Sequence, residues 1–470
     1  LVQNHKPLQK SIQEKRLIIS AEKQGKDRVG FTFMLKTGKP REKRVLQSYL
    51  EQWGESGQNR ITSRVYNKVK LYTIEDPRQK LLSFATTRGV LIASASPLLV
   101  EQAIRQSTVD EPVTTDKYFR KVRETAGKHV IANLYINFNH LHEIISLPLN
   151  AQFRQYISQL TNFGSWSALD MNIKKDALLL NGFTADHPEK PEIIDLFVNQ
   201  EPVDLEMERI LPANTSTYIT LGISDKNDYL DKLTSLYLQN EKLDDYRQWK
   251  DGIQKKYGFD PQETFYELLH EEAGLAFLNA NVDNPKNKAL LIMKTKGNRT
   301  ATSRLSEISK LACSRSDNMP YRNNMQIDQE TSYNVYRLPV KNLFSNLFGG
   351  VFQGIDNEYF TVFDNFVVFA QSPELLKEFI YSNILNKTLN HNHNYQQFSD
   401  YLSDQSNFHF YTNMYRSPHL IANYLNQDLK QGIDENLKHF RKFQALAYQF
   451  MGSEGMCYNN LFIKYIPEIR

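Results

Sequence analysis

The order of apolar and polar positions along the chain occurs twice. Residues Leu81–Gln106 have the pattern of a strand, a tight turn, a second apolar strand and a helix that begins at Ser96-Pro97. Residues Phe360–Ser382 repeat this order, with Ser372-Pro373 at the start of the helix. A serine before a helix can accept hydrogen bonds from the free N–H groups of the first helical turn. A proline at the first helical position costs no hydrogen bond, because an N–H group there would have no partner within the helix. The pattern therefore predicts one strand–turn–strand–helix unit at two places.

A constant spacing indicates that a whole domain is duplicated. The two Ser-Pro pairs lie 276 residues apart, and the same spacing aligns Tyr135-Ile136-Asn137 with Tyr411-Thr412-Asn413. Most predicted strands are joined by tight turns, which favours antiparallel sheets over a doubly wound parallel sheet. We therefore predict an α+β fold of two tandem repeats, each an antiparallel sheet with helices packed on one side, related by a pseudo-two-fold axis.

The predicted elements follow the same order in both repeats. The pairs are hairpins at 17–37 and 275–295, helices from about Pro40 and through Leu305, strands at Arg64–Leu71 and Ser332–Pro339, helices at Asp116–Thr125 and Tyr395–Leu402, strands at Val130–Phe138 and Phe408–Tyr415, helices at Leu141–Ser146 and Pro418–Leu425, helices at Phe153–Gly164 and Phe440–Gly452, and hairpins at Leu169–Phe183 and Met456–Ile466. Strands are assigned from alternation and helices from a 3.6-residue period.

These elements set the predicted domain boundaries. Residues 1–185 form the first repeat, 186–213 a connector, and 214–470 the second repeat. The four prolines of Ala185–Ala213 indicate an extended connector over the surface. Beyond it, Ser216–Ser224 alternates as a strand, and Asp225–Tyr257 has the apolar spacing of one long helix.

The first repeat lacks a unit that the second repeat contains. The strand and helix of 216–257 precede the hairpin at Leu275, and nothing in the first repeat corresponds to them before the hairpin at Leu17. A sheet that lacks a strand leaves unpaired backbone groups, which proteins pair or cover. We therefore expect a strand–helix unit resembling Leu211–Tyr257 upstream of this chain, preceded by a hydrophobic anchor. The first repeat should then show an open edge or a shorter sheet.

The main difference between the repeats is an apolar segment at Leu338–Gln353. Seven of its residues fall on one helical stripe: Val340, Leu343, Phe344, Leu347, Phe348, Val351 and Phe352. Such a stripe either packs on its own domain as core or forms an apolar surface for a partner or a membrane. Both interpretations stay open at this point.

Composition narrows the class of protein. The 470 residues are 40% hydrophobic and 23% charged, which is ordinary for a globular protein with large cores. A formal net charge of +4, spread along the chain, argues against nucleic acid as a partner. No segment approaches the roughly 20 apolar residues of a membrane-spanning helix.

Candidate catalytic and metal-binding motifs are weak. The two His-x-His pairs, His140/His142 and His391/His393, would bind one metal from a strand but diverge on a helix. His270 begins a zincin-like motif that lacks its second histidine. The nucleophile elbow, the phosphate-binding loop and the dinucleotide fingerprint are all missing. We therefore predict no catalytic residue, no cofactor and no metal site.

The two cysteines, Cys313 and Cys457, exclude a disulfide framework and a multi-cysteine zinc site. A single bridge between them stays open.

Four stretches resemble a known family. Gly89–Gln106, Phe163–Phe183, Leu211–Ser224 and Tyr359–Leu375 are similar to bacterial cell-envelope proteins grouped as domain of unknown function 3352, best represented in Bacteroides and its relatives. The resemblance implies a position on the periplasmic side of the envelope and an N-terminal membrane-anchoring helix, which this chain lacks. It implies no catalytic residue.

The sequence therefore favours a non-enzymatic binding or scaffolding protein of the bacterial envelope, with envelope proteins or a membrane surface as partners. The alternatives are a hydrolase with an unrecognised active site and a carrier of an apolar ligand. A hydrolase requires converging titratable groups with perturbed pKa values in a cleft. A carrier requires a closed apolar cavity, and a scaffold requires an exposed apolar or aromatic patch.

The metal prediction has a direct test. Because a structural metal couples to folding, a chelator should leave the melting temperature of a metal-free protein unchanged. A fall of several degrees that zinc restores would contradict the prediction.

Overall fold

The structure, a computed structural model, combines large antiparallel sheets with a similar share of helix. It describes residues 15–466 except 38–47, 49–50, 53–54, 56–58, 110, 152, 155–162, 188, 280–283, 318, 328, 330 and 454. The chain divides into two compact units. The first unit runs to Lys117 and includes Glu143–Leu147, and the second comprises Tyr118–His142 and everything from Pro148 onward. The fold is therefore mixed α+β with large antiparallel sheets.

The first unit contains a six-stranded antiparallel sheet in the order β1-β2-β6-β5-β4-β3. Its strands are β1 Leu17–Gln24, β2 Arg28–Lys36, β3 Arg60–Tyr66, β4 Val69–Glu75, β5 Leu81–Thr87 and β6 Val90–Ser94. Helix α1, Pro97–Gln106, covers one face, where Val100 and Ile104 pack against Leu71, Ala85 and Ile92.

The second unit contains a thirteen-stranded antiparallel sheet in the order β14-β15-β16-β17-β13-β12-β11-β19-β20-β21-β9-β8-β7. Its strands are β7 Ala132–Asn137, β8 Trp166–Ile173, β9 Ala177–Ala185, β11 Thr215–Gly222, β12 Leu269–Leu278, β13 Ala289–Thr295, β14 Arg322–Gln326, β15 Ser332–Arg337, β16 Tyr359–Phe363, β17 Phe366–Ala370, β19 Phe408–Asn413, β20 Phe443–Ser453 and β21 Met456–Tyr465. Two short strands, β10 Val203–Asp204 and β18 Gln405–Ser406, pair separately.

The remaining α-helices follow in chain order. They are α2 Lys117–Thr125, α3 Phe138–Ile145, α4 Asp195–Val198, α5 Lys226–Gln239, α6 Leu243–Tyr257, α7 Pro261–Leu268, α8 Asn298–Ser314, α9 Leu343–Phe348, α10 Pro373–Ile384, α11 His393–Ser399, α12 Pro418–Ala422, α13 Gln427–Glu435 and α14 Leu437–Phe440. The predicted helices from about Pro40 and at Phe153–Gly164 lie almost wholly outside the described residues.

Helices cover both faces of the large sheet, so the prediction of helices on one side is wrong. Leu291 of β13 belongs to a core with helices α5 to α9, whereas its neighbour Ile292 belongs to a core with α10 and α11. The physical reason is visible in β17, where all five residues are buried. A continuous apolar strand, unlike an alternating one, is buried on both faces.

Two predicted element types are corrected. Phe440–Gly452 is not a helix, because strand β20 begins at Phe443 and pairs with β21 to form the hairpin that was expected within Met456–Ile466. Arg64–Leu71 is not one strand either. Asn67 and Lys68 adopt left-handed backbone conformations, with φ of 49° and 63°, and turn β3 into β4.

Three local expectations also change. The predicted long helix breaks into α5 and α6 at Glu241, whose φ is 58°. The connector does not run over the surface, since Phe197, Met207 and Leu211 are at most 2% exposed. Ser372 caps its helix through the N–H of Leu375, whereas Ser96 instead accepts a hydrogen bond from the side chain of Gln24.

The strand orders of the two units correspond position by position. The first unit has β1-β2-β6-β5-β4-β3, and the second has β12-β13-β17-β16-β15-β14 as its outer half. Strand β11 pairs with β12 on one side and with β19 on the other. Among the described residues, β1 pairs only with β2, and β7 pairs only with β8.

Two glycine substitutions should have opposite effects on stability. A Cβ at Gly182, in the interior strand β9, would collide with the carbonyl oxygen of Ala168 in β8. Gly182→Ala should therefore reduce the free energy of unfolding by about 1–3 kcal/mol. Gly252→Ala, in helix α6 with no atom within 4 Å of the added Cβ, should raise it by about 1 kcal/mol.

The measurement is the denaturant midpoint of both variants and the wild-type protein. Equal midpoints for Gly182→Ala and the wild-type protein would contradict the close packing of β8 against β9.

Candidate functional site

The apolar stripe of Val340–Phe352 is core and does not form a partner surface. It is divided between helix α9 and a 3₁₀ turn at Gly350–Phe352. Six members are at most 6% exposed: Val340, Leu343, Phe344, Leu347, Phe348 and Phe352. The seventh, Val351, is half-buried and packs against the same core. These side chains are buried because they pack on one apolar face of the large sheet.

Aromatic contacts show how firmly the stripe is held. The ring of Phe344 lies 5.4–5.6 Å from the rings of Phe348, Phe352 and Phe369. Tyr266 donates its hydroxyl to the Leu347 carbonyl at 2.7 Å. The surface interpretation of the stripe is therefore corrected to a core role.

The predicted histidine candidates do not converge. His142 lies on helix α3, where His140 is exposed. His391 Nδ1 lies 2.9 Å from the hydroxyl of Thr388, and His393 Nε2 lies 3.0 Å from the side-chain amide of Gln397. His270 lies on strand β12 and not on a helix. Within the described part of the chain, no three His, Cys, Asp or Glu residues are grouped to hold a metal.

The two cysteines are free and buried, so the bridge that the sequence left open is not formed.

A buried carboxylate that the sequence did not indicate fastens the connector to the large sheet. Glu272 on β12 is 1% exposed. Its two oxygens accept the backbone N–H groups of Glu206 and Met207 at 3.0 and 2.9 Å. Burial raises the pKa of Glu272 to about 8, although these two hydrogen bonds oppose the shift. Lys294 Nζ lies 3.4 Å from the Glu206 carboxylate.

A second set of buried polar groups lies near the same turn. Tyr218 and Tyr395 share a hydrogen bond of 2.5 Å between their hydroxyls. Burial, with the nearby charges of Asp404 and Glu206, raises the pKa of Glu208 to about 7. Burial lowers the pKa of His409, whose ring lies 5.1 Å from Tyr218, to about 3.

Perturbed pKa values of this kind are common at acid–base sites, but here the groups form hydrogen bonds to other parts of the same chain. Glu272 is sealed from solvent and holds two backbone N–H groups, and the two tyrosine hydroxyls hold each other. The cluster therefore holds the turn at Met207–Arg209 against strand β12. No sequence pattern indicated this role, because β12 is buried at seven consecutive positions from Glu272 to Leu278 and does not alternate.

One end of the large sheet carries exposed apolar side chains. Strand β8 ends at Ile173, β20 begins at Phe443, and Ile466 follows the end of β21. These three side chains are 56%, 43% and 46% exposed. Hydrogen bonds hold the strand ends together, since Ile466 N–H donates to the Lys442 carbonyl at 2.7 Å.

Cations surround these apolar groups. Lys174 and Lys175 form the turn from β8 to β9, and Arg441 and Lys442 precede β20; all four are exposed. Tyr465, at the end of β21, donates its hydroxyl to the Lys174 carbonyl at 2.8 Å and pairs with Phe443, the residue after Lys442.

We call this surface the basic end of the sheet. Its members are Ile173, Lys174, Lys175, Arg441, Lys442, Phe443 and Ile466. Asp176, in the same turn as the two lysines, is half-buried, whereas both lysines are exposed. Lys174 Nζ also lies 5.2 Å from the centre of the Tyr401 ring, and that side chain is 38% exposed.

The fold and these surfaces define an antiparallel α+β protein without a recognisable reaction centre among the described residues. The chain belongs to the family described as protein of unknown function (DUF3352), whose model matches residues 29–448. No curated protein and no solved structure matches the chain. In the part of the chain that the structure describes, no helix has the length and apolar character to span a bilayer.

The raised pKa values predict how stability depends on pH. Glu272 and Glu192 have pKa values near 8 in the folded protein, Glu208 has one near 7, and the ordinary value is 4.5. The folded state therefore binds more protons than the unfolded state between these values. The contribution of these groups to the free energy of unfolding should be most favourable below about pH 4.5. It should decrease as the pH rises to about 8.

Glu272→Gln should reduce the loss of unfolding free energy at high pH by on the order of 2 kcal/mol, because the amide has no charge to bury. The measurement is the difference in unfolding free energy between about pH 5.5 and about pH 8.5. Glu307→Gln, at an exposed position of helix α8, is the control and should leave the difference unchanged. The same pH dependence in Glu272→Gln as in the wild-type protein would refute the assignment.

Proposed function

We propose that the protein is a non-enzymatic binding or scaffolding protein of the bacterial cell envelope, on the periplasmic side, that docks on an anionic membrane surface through the basic end of the sheet. The basic end is the observation that carries the proposal. The envelope location rests on the family resemblance, which also implies an N-terminal anchoring helix outside this chain.

The composition of the basic end suits a lipid headgroup region. Exposed Ile173, Phe443 and Ile466 can enter the boundary between headgroups and acyl chains, and Lys and Arg side chains are attracted to anionic headgroups. Each cation near such a surface contributes about 1 kcal/mol. Tyr401 adds an amphipathic ring of the kind that favours membrane interfaces.

The geometry of the strand ends also suits a planar target. Strands β20, β21, β9 and β8 are consecutive neighbours in the sheet. At the usual strand spacing, their ends span about 14 Å. Apolar and cationic groups are therefore presented side by side along the end of a rigid sheet.

The buried titratable groups support binding over catalysis. Glu272 and Tyr218 are each about 1% exposed and are bonded within the chain. A general acid or base must reach the substrate proton within hydrogen-bond distance, and these groups are directed at their own fold.

We further propose that the chain is a tandem duplication. The matching strand orders support it, and so does one repeated hydrogen bond. Thr37 N–H donates to the Gly89 carbonyl at 2.7 Å, and Thr295 N–H donates to the Asn365 carbonyl at 2.7 Å. Gly89 and Asn365 have the spacing of 276 residues that aligns the two Ser-Pro pairs.

The pairing of β9 with β21 supports the pseudo-two-fold axis. These strands end the two proposed repeats, and they pair antiparallel about Asn181 and Asn460. Equivalent elements that meet in this way are related by a local two-fold axis. The proposed repeat boundaries remain 1–185 and 214–470, with 186–213 between them.

Vesicle co-sedimentation tests the membrane proposal. The wild-type protein should bind vesicles that contain phosphatidylglycerol, fail to bind pure phosphatidylcholine, and release as ionic strength rises. Lys174→Glu/Lys175→Glu should weaken binding by roughly 30-fold or more, because two favourable charges of about 1 kcal/mol each are lost. Phe443→Ser should weaken it without changing the salt dependence.

The matched control is Lys255→Glu/Lys256→Glu, an exposed adjacent pair in helix α6 that makes the same charge change elsewhere. It should bind vesicles like the wild-type protein. Equal binding by both double variants, or no binding by the wild-type protein at low salt, would overturn the proposal. Turnover of a generic esterase or peptidase substrate would favour a hydrolase, and a co-purifying apolar molecule would favour a carrier.

A further inference from the structure

On the face of the six-stranded sheet opposite α1, Ile74 and Phe84 are buried, whereas side chains of β1 and β2 are exposed. Antiparallel pairing places Ile19 opposite Phe33 and Ala21 opposite Phe31, so these side chains share that face. Phe31 is 50% exposed, Phe33 is 41% exposed and Ile19 is 54% exposed. An apolar cluster of this kind on a sheet face normally marks a binding surface.

The corresponding positions of the second unit are buried. Ala93 and Phe369 have the spacing of 276 residues that aligns the Ser-Pro pairs. Ala93 pairs with Phe33, and Phe369 pairs with Leu291, so Phe33 corresponds to Leu291. Leu291 is 2% exposed.

The same pairing extends the comparison to the outer strand. Ile19 pairs with Phe33, and Leu275 pairs with Leu291, so Ile19 corresponds to Leu275. Leu275 is 3% exposed, against 54% for Ile19. The two sheets therefore share a strand order, but the positions of Ile19 and Phe33 are buried only in the second unit.

The cover in the second unit is the segment from β11 to α7. Tyr229 and Leu233 of α5, Tyr257 of α6 and Phe265 of α7 share one core with Leu291. Strand β11 also pairs with the outer edge of β12, the strand that corresponds to β1. One continuous segment, 215–268, thus supplies both a strand for the edge and helices for the face.

We infer that the outer edge of β1, which no described strand pairs, and the face of Ile19, Phe31 and Phe33 receive a strand followed by amphipathic helices of the β11–α7 kind, supplied by the same polypeptide N-terminal to β1. This inference is independent of the proposed membrane docking, which uses the second unit.

The connectivity of the second unit favours this source. Helix α7 ends at Leu268 and β12 begins at Leu269, so the covering segment leads directly into the strand that it covers. The same connectivity would bring the segment to the first unit immediately before β1. A folded second copy has no such segment to donate, because its β11 is already paired with β12 and β19.

Thiol labelling of Phe33→Cys tests the inference. The two native cysteines are buried and free, so they contribute little background. In the 470-residue chain, Phe33→Cys should react as fast as Val65→Cys, a control on β3 whose native side chain is 73% exposed. In a longer chain that includes the proposed upstream segment, Phe33→Cys should react at least roughly tenfold more slowly, because modification then requires local opening. Val65→Cys should react equally in both.

Hydrogen exchange of the unmodified protein provides the second measurement, which needs no variant. Amides of Leu17–Gln24 should exchange slowly in the longer chain that includes the proposed upstream segment and faster in the 470-residue chain. Equal labelling and equal exchange in the two proteins would overturn the inference. A gene product without a strand–helix segment before β1 would overturn it too, and protection that appears only with an added second protein would assign the face to a partner instead.

Discussion

Strand β11 connects two parts of the large sheet, the strands from β12 to β14 and the strands from β19 to β7. Strand β11 joins β12 to β19, and seven of its eight residues are buried. A strand in this position must satisfy every backbone group through its neighbours, because no water can reach it. Its polar side chains are satisfied as well: Thr217 lies 2.9 Å from the hydroxyl of Thr412 and 3.1 Å from that of Ser417. The hydrogen bonds of β11 therefore stabilise the sheet and set its register with β12 and β19.

The sequence predicted much of the fold where one local pattern dominated. The Ser-Pro helix starts, the hairpin at Leu169–Phe183 and the strand at Ser216–Ser224 are each short, strongly patterned and close to where the structure has them. The prediction of a helix at Phe440–Gly452 was wrong because the apolar residues of this segment satisfy both a 3.6-residue and a two-residue period. The stripe of Val340–Phe352 was ambiguous for a different reason, since a helical stripe does not reveal what lies opposite it.

The buried carboxylate lay beyond sequence reasoning. Glu272 acquires its properties from Glu206 and Met207, more than sixty residues earlier in the chain. The prolines of that segment suggested a surface connector, yet Met207 and Leu211 are fully buried. Prolines indicate where helices and strands end. They do not indicate whether the segment is buried, because that depends on which sheet surfaces it covers. Glu272 accepts hydrogen bonds from two backbone N–H groups of this irregular segment. Burying an ionisable side chain is unfavourable, and these hydrogen bonds offset part of that free energy.

Composition also conceals where charge is concentrated. The chain carries 57 Lys and Arg against 53 Asp and Glu, which gives no sign of a cationic surface. The basic end arises because segments around Lys174, Lys442 and Ile466 terminate neighbouring strands at the same end of one sheet. Each segment alone is an ordinary strand end with exposed charges. Sheet topology, which brings the strand ends to within one or two strand spacings of each other, converts scattered residues into a surface that combines positive charge with exposed apolar groups. A near-neutral protein can therefore present a strongly charged face, and net charge alone is a poor guide to its partners.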